Sequence, residues 1–264
     1  PNRPTRPGNA DWISRLMPFK ARPKQQDVLD YTGGKMGVAA VPGSGKTVTL
    51  SALAAKLVTN GALQDAQAVL VVTLVNSAVD NFAGQVAGFL TERGLLPHLG
   101  YRVRTLHGLA HDIVRERPAL VGLSDDFQII DEREARRVLQ DAAEAWLSGH
   151  SDIISNFLAL DLDERQEQWV RRDHLPGFVG DIAYSLIRQA KDWQLTPVEV
   201  RDYLDECHQS LPLAEMGWAI YADYQRALTY RGAVDFDDLI RLALEALQLD
   251  AELLERLRRT WPYV

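Results

Sequence analysis

Cysteine is almost missing: Cys207 is the one among 264 residues. That excludes an intramolecular disulfide and any multi-cysteine zinc or iron–sulfur site, and it fits a reducing cytoplasm. Long apolar runs are missing as well. The longest, residues 68–72, is strand-sized and far short of the ~20 residues of a membrane-spanning helix. The N-terminus has no signal-peptide-like apolar stretch. Nor is there an excess of positive charge: 29 Lys and Arg against 36 Asp and Glu leave −7, so total charge does not point to nucleic acid.

The composition is otherwise that of a globular protein, 46% hydrophobic and 25% charged, long enough for one large or two small domains with cores of their own. Charge is unevenly spread. Residues 1–24 hold six Arg or Lys against one Asp, so this stretch is either a basic arm or a solvated tail rich in Pro and Arg.

From Lys35 to Val103 short apolar runs alternate with amphipathic ones: Met36–Val41, Thr47–Val58, Ala68–Leu74, Ser77–Leu90 and Tyr101–Val103. That βαβαβ rhythm predicts a parallel sheet with crossover helices. After Leu109 nearly everything except Phe127–Ile130 has helical period, with stripes such as Ala135, Val138, Leu139, Ala142 and Trp146, and Trp218, Tyr221, Tyr224 and Leu228. Thr196-Pro197-Val198-Glu199 reads as a capping box with proline in the first helical position. The tail Trp261–Val264, after a helix over Ala251–Arg259, reads as the approach to a further strand.

The densest chemistry lies in Ala40-Val41-Pro42-Gly43-Ser44-Gly45-Lys46-Thr47, between a strand expected over Met36–Ala40 and a helix starting near Lys46. Glycines let backbone N–H groups turn inward around phosphate oxygens, and a helix N-terminus adds positive potential. Lys46 is placed to reach the β- and γ-phosphates, and the Thr47 hydroxyl is a ligand for Mg²⁺. A nucleoside triphosphate site over Pro42–Val48 is the expectation. About twenty residues upstream stands Gln25, whose amide matches both N6 and N7 of adenine. Downstream come Val72–Ala78, Arg104–Gly108 and Gly232–Leu239.

Together these segments resemble the UvrD/Rep/PcrA group of superfamily 1 DNA helicases, from about Arg22 to the last residue. Gln25 stands where that family has its adenine-reading glutamine, and Ala40–Thr47 is similar to its P-loop. Thr73–Ala78 resembles its Thr-Phe-Thr-Asn motif, Thr105–Gly108 its Thr-Phe-His-Ser motif, and Val234–Leu239 its Asp-Phe-Asp-Asp-Leu motif. The resemblance implies an α/β fold: an incomplete RecA-like P-loop parallel sheet (domain 1A, residues 25–106 with a returning strand at 261–264) and a mostly helical insert (domain 1B, 107–260). It implies ATP and Mg²⁺ as cofactors, with Lys46 and Thr47 catalytic and Gln25, Pro42, Gly43, Ser44, Gly45, Lys46, Thr47 and Val48 around the nucleotide. Single-stranded DNA and strand junctions are the implied partners, met by Thr73, Asn76, Thr105 and His107. These four fall at strand ends, where doubly wound sheets bind ligands.

The implied activity is ATP-driven 3′ to 5′ translocation and unwinding by the full-length protein. This chain, read as ending before the metal-binding Asp-Glu pair and the second motor domain, is expected to be inactive alone. An AddA- or RecB-like helicase–nuclease is an alternative; a P-loop kinase or a nucleotide-binding module belongs to a different class. Three departures stand out: Leu74 and Leu106 replace family aromatics, and Val48 replaces an arginine. For Thr73 and Asn76 an ordinary strand end and helix cap is the competing reading, and for His107 a structural histidine. Asp235, Asp237 and Asp238 are expected to cap and solvate the following helix, Phe236 to enter the core, and Trp146, Trp169, Trp193 and Trp218 to pack rather than stack on a ligand.

Overall fold

Gly43 and Gly45, at φ 76° and 89°, turn the chain into helix α2 (Lys46–Thr59) by a backbone path that β-carbon-bearing residues rarely take. In this computed structural model, residues 19–150 and 163–264 are described; most of the basic stretch 1–24 lies outside them. The chain divides into two compact units, residues 1–109 with 251–264, and residues 110–250.

The first unit holds α1 (Pro23–Leu29), α2, strand β1 (Val69–Thr73), α3 (Asn76–Glu92) and strand β2 (Tyr101–Thr105). β1 and β2 pair in parallel with Val69 opposite Tyr101 and Thr73 opposite Thr105, joined by the α3 crossover. Val69, Tyr101 and Val103 bury one sheet face against Ala54 and Ala55 of α2 and Phe82, Val86 and Leu90 of α3. At roughly 1.5–3 kcal/mol per large apolar side chain, this burial is what fixes the layer. The chain's last segment returns here: Ala68 N–H donates to Thr260 O and Leu70 N–H to Tyr263 O, making a parallel bridge between Val69 and Tyr263.

The strand expected over Met36–Ala40 does not form, and Met36, Val38 and Val41 are exposed. A strand needs a hydrogen-bonded neighbour. Met36 and Val38 instead line one side of a cleft of about 460 Å³, with Val69–Val72, Leu53, Phe82, Tyr263 and Val264 around the rest of it. The apolar run is therefore real, but among the described residues no strand hydrogen-bonds to it to convert it into sheet.

The second unit is mostly helical: α5 (Glu132–Gly149), α6 (Glu164–Trp169), α7 (Leu175–Asp192), α8 (Pro197–Glu206), α9 (Pro212–Tyr230) and α10 (Phe236–Leu249). Helix α4 (Leu106–Glu116) spans the division between the units, and α11 (Ala251–Thr260) belongs to the first. A two-residue parallel pair, β3 (Gln128–Ile129) with β4 (Ala233–Val234), accompanies them. Val138, Leu139, Ala142 and Ala143 of α5 pack with Val179, Ala183 and Ile187 of α7 and Ile220, Tyr221, Tyr224 and Leu228 of α9. The Thr196–Glu199 capping box forms, with Thr196 N–H donating to Glu199 Oε2 at 2.7 Å. Backbone and hydroxyl donation from Thr196 holds the Glu199 carboxyl below its ordinary range.

Aromatic placement departs from expectation in part. Trp146 and Trp218 pack against this core. Trp169 and Trp193 do not; they are 55% and 69% exposed. Phe236, the first residue of α10, lies before that helix's apolar stripe and is 39% exposed rather than in the core.

Candidate functional site

The loop before α2 is closed by its own backbone. Ser44 N–H donates to Val41 O at 3.2 Å, closing a turn that leaves Ser44 Oγ buried without a hydrogen-bond partner. Lys46 Nζ folds back onto Ala40 O at 3.2 Å. Lys46 and Thr47 are exposed at the first turn of α2, where backbone N–H groups have no partner within the helix. Val48 is half-buried, and Thr49 is buried with its hydroxyl donating to Gly45 O. Such a loop offers an anion several donors and the positive end of a helix.

Gln25 lies directly against this loop. Its Nε2 donates to Ser44 O at 3.1 Å, and its Oε1 accepts from Arg22 N–H at 2.9 Å. A primary amide has two N–H groups and two acceptor positions, so one of each remains for a ligand. The approach is close enough that a β-carbon on Gly45 would meet Gln25 Nε2 at 2.9 Å. Glycine at 45 is required by its φ, and a β-carbon there would also push the Gln25 amide from its place.

The four residues proposed for a strand of DNA divide between two motifs that the sheet sets side by side. Thr73 and Thr105 are register partners at the C-terminal ends of parallel β1 and β2. Thr73 Oγ1 donates to Val75 O, and Asn76 opens α3. Thr105 Oγ1 accepts from Gly108 N–H at 3.1 Å, tying the start of α4 to the strand end, and His107 lies in that first turn. Leu74, between the threonine and asparagine, is 83% exposed. Both motifs therefore lie on the edge where ligands of parallel sheets bind.

Sequence reasoning missed a polar cluster in the second unit. Lys191 Nζ contacts Asp235 Oδ2 at 2.5 Å and Asp238 Oδ2 at 3.0 Å, with all three residues buried. Tyr224 Oη donates to Asp235 Oδ2 at 2.5 Å, and Gln225 Nε2 to Asp238 Oδ2 at 2.8 Å. Asp235 does cap α10 through Asp238 N–H, as expected, yet the carboxylates are enclosed rather than solvated. Burial pushes the Asp235 carboxyl up, but the Lys191 ammonium and the donors around it pull it further down, leaving it below the ordinary carboxylate range. Burial and the adjacent carboxylates push the Tyr224 hydroxyl up. The signal was present in the spacing: Lys191 follows Ala183 and Ile187 at intervals of four, on the buried stripe of α7.

Residues 21–264 match the family model of the UvrD/REP helicase N-terminal domain, and the chain belongs to that family. It is similar to the ATP-dependent DNA helicase UvrD1 of Mycobacterium tuberculosis, 26% identical over 243 residues that cover 92% of this chain and 27% of the relative. The ATP-dependent DNA helicase PcrA of Leuconostoc citreum is 27% identical over 248 residues, covering 91% and 28%. DNA helicase II of Haemophilus influenzae is 24% identical over 242 residues, covering 91% and 29%. The chain spans under a third of the length of these relatives.

Proposed function

We propose that this chain is the ATP- and DNA-binding N-terminal part of a helicase that hydrolyses ATP to move 3′ to 5′ along single-stranded DNA and to open duplex at strand junctions. In this reading residues 25–106 and 261–264 belong to a RecA-like motor domain (1A), and 107–260 to its helical insert (1B). A second motor domain elsewhere in the full-length protein completes the machine, which works in the cytoplasm. The carrying observation is the Pro42–Thr47 loop, turned by Gly43 and Gly45 onto the start of α2 with Gln25 against it, in a chain of this family.

Each residue has a separable task. Lys46 leaves Ala40 O to meet the β- and γ-phosphates, while the first-turn N–H groups of α2 and the Ser44 hydroxyl take phosphate oxygens. The orphaned Ser44 Oγ and the exposed Thr47 hydroxyl fit Mg²⁺–nucleotide, with Thr47 the metal ligand. The metal supplies charge neutralisation on the phosphates. Gln25 reads adenine. Thr73, Asn76, Thr105 and His107 hold the DNA backbone at the ends of β1 and β2, in the same compact unit as the nucleotide loop.

The test is ATP hydrolysis by the full-length protein with and without single-stranded DNA. DNA-stimulated hydrolysis that Lys46→Ala abolishes, with displacement of a strand from a 3′-tailed duplex, is expected. Hydrolysis indifferent to DNA would favour a nucleotide switch or kinase and overturn the reading.

A further inference from the structure

Helix α1 is only seven residues long, too short to hold its own place, yet it presents Gln25 to the P-loop. What anchors its far end is a lysine of the neighbouring helix. Lys56 Nζ of α2 donates to Leu29 O at 2.5 Å and lies 3.8 Å from Asp30 Oδ1. Leu29 O is one of the carbonyls that a helix end leaves without an intrahelical partner, and a cation there also meets the negative end of the helix. Leu29 is one turn on from Gln25, so the two lie on the same face of α1. Apart from half-exposed loop contacts, the buried side chain of α1 is Val28 alone.

We propose that Lys56 is a positioning residue for base recognition: by holding the C-terminal end of α1 to α2, it keeps Gln25 in register with the P-loop and so sets the preference for adenine. The inference rests on the ATP-site reading above. Both ends of α1 are then tied to the P-loop and its helix, Gln25 Nε2 to Ser44 O just ahead of α2 and Leu29 O to Lys56 within α2. Releasing Lys56 leaves the Gln25 contact with Ser44 O at one end and the burial of Val28, and the C-terminal end of α1 is then free to shift about them. Phosphate binding does not involve α1 and is untouched.

Calorimetric titration of the chain with Mg²⁺ and either ATP, GTP or inorganic tripolyphosphate separates these effects. Wild type is expected to bind ATP tighter than GTP. Lys56→Met is expected to lose about fivefold in ATP affinity, the scale of one weakened hydrogen-bond contact, while GTP and tripolyphosphate stay within about twofold. Lys56→Arg, which keeps a cationic donor, is expected to restore the preference. Lys56→Gln, without the charge and with less reach, carries the same expectation as Lys56→Met should the latter not fold. An unchanged ATP-to-GTP ratio in a folded Lys56 variant overturns the proposal, as does parallel loss of all three ligands. Wild type that binds tripolyphosphate without preferring ATP overturns the role of Gln25 instead, and wild type that binds none of the three overturns the nucleotide site itself.

Discussion

Lys191 of α7 and Asp235 at the start of α10 form a buried ion pair at 2.5 Å across 44 residues of sequence, the closest polar link between these two helices among the described residues. Its partner carboxylate Asp238 shares the same ammonium at 3.0 Å. Removing Lys191 leaves Asp235 buried without its ammonium and Asp238 with Arg241 Nε at 3.6 Å. Lys191→Met is therefore expected to cost about 3–5 kcal/mol of stability, the usual scale for breaking such a pair. Urea denaturation monitored by circular dichroism reads it; a loss below about 1 kcal/mol would show that water reaches the cluster.

The same pair predicts an acid limb. Because the Asp235 carboxyl is held below its ordinary value in the folded state, the unfolded chain takes up that proton first. Its contribution is fully present above the unfolded value of about 3.9 and is lost as pH falls through the lower folded value. The stability gap between wild type and Lys191→Met is expected to narrow as pH falls, beginning above the ordinary carboxylate range because burial without the ammonium pushes the variant's Asp235 carboxyl up, and to narrow further as wild type loses its own contribution at lower pH. A gap independent of pH would assign the loss to packing instead.

Gly100, just ahead of β2, supplies a purely steric prediction. Its φ is 76°, and a β-carbon there would meet Val58 Cγ1 at 2.7 Å. Gly100→Ala combines left-handed strain with overpacking and is expected to destabilise by about 2–4 kcal/mol. Gly100→Ala with Val58→Ala relieves the overpacking and not the strain, so the double variant is expected to recover part of what truncating Val58 alone does not explain. Thermal melts of the three variants measure this.

How much of this was readable beforehand follows the range of the interactions. β1, β2, α2, α3 and the Thr196–Glu199 cap rest on local period and on contacts three or four residues apart, and all were legible. Met36–Val41 has the same local pattern, but a strand is made by its neighbour, and no pattern within six residues reports whether one is there. The spacing of Lys191 on the α7 stripe and the cap position of Asp235 are local signals, but that Asp235 and Asp238 meet the Lys191 ammonium is decided only by the fold. In the candidate site, Gly43 and Gly45 announce themselves because the backbone path needs them, and Lys46 by its place directly after them at the start of α2. The contact of Gln25 with Ser44 O and of Lys56 with Leu29 O depends on how α1 lies on α2, which no spacing states.

Lys46 is exposed and, among the described residues, its ammonium donates to the Ala40 carbonyl, so truncating it does little to the fold. Lys46→Ala is expected to weaken Mg²⁺–ATP binding by roughly 1.5–3 kcal/mol, about ten- to a hundredfold, because a charge-assisted contact to phosphate is removed. Equal affinity in wild type and variant, by calorimetry, would remove Lys46 from the phosphate site.

Leu74 tests the DNA edge. Thr73 and Thr105 stand opposite each other at the ends of β1 and β2, and Leu74 follows at 83% exposure, with Leu106 also open to solvent. Neither leucine offers a flat π-face, so on the proposed reading a strand crossing this edge would be held through its backbone by Thr73, Asn76, Thr105 and His107. Binding is expected to be weak, steeply salt-dependent and indifferent to base identity. A ring at this point adds what leucine lacks: base–aromatic stacking is worth about 1–3 kcal/mol per base. Leu74→Phe is expected to tighten single-stranded DNA binding about five- to a hundredfold while leaving the salt slope unchanged, since no phosphate contact is added. Stability is expected to shift by no more than about 0.5 kcal/mol, because the position is open and packs on nothing that a larger side chain would displace. Asn76→Ala is expected to weaken binding equally for all base compositions. Fluorescence anisotropy with labelled oligonucleotides at several salt concentrations decides the matter. If Leu74→Phe and Asn76→Ala both leave affinity as it was, the strand does not cross this edge of the sheet.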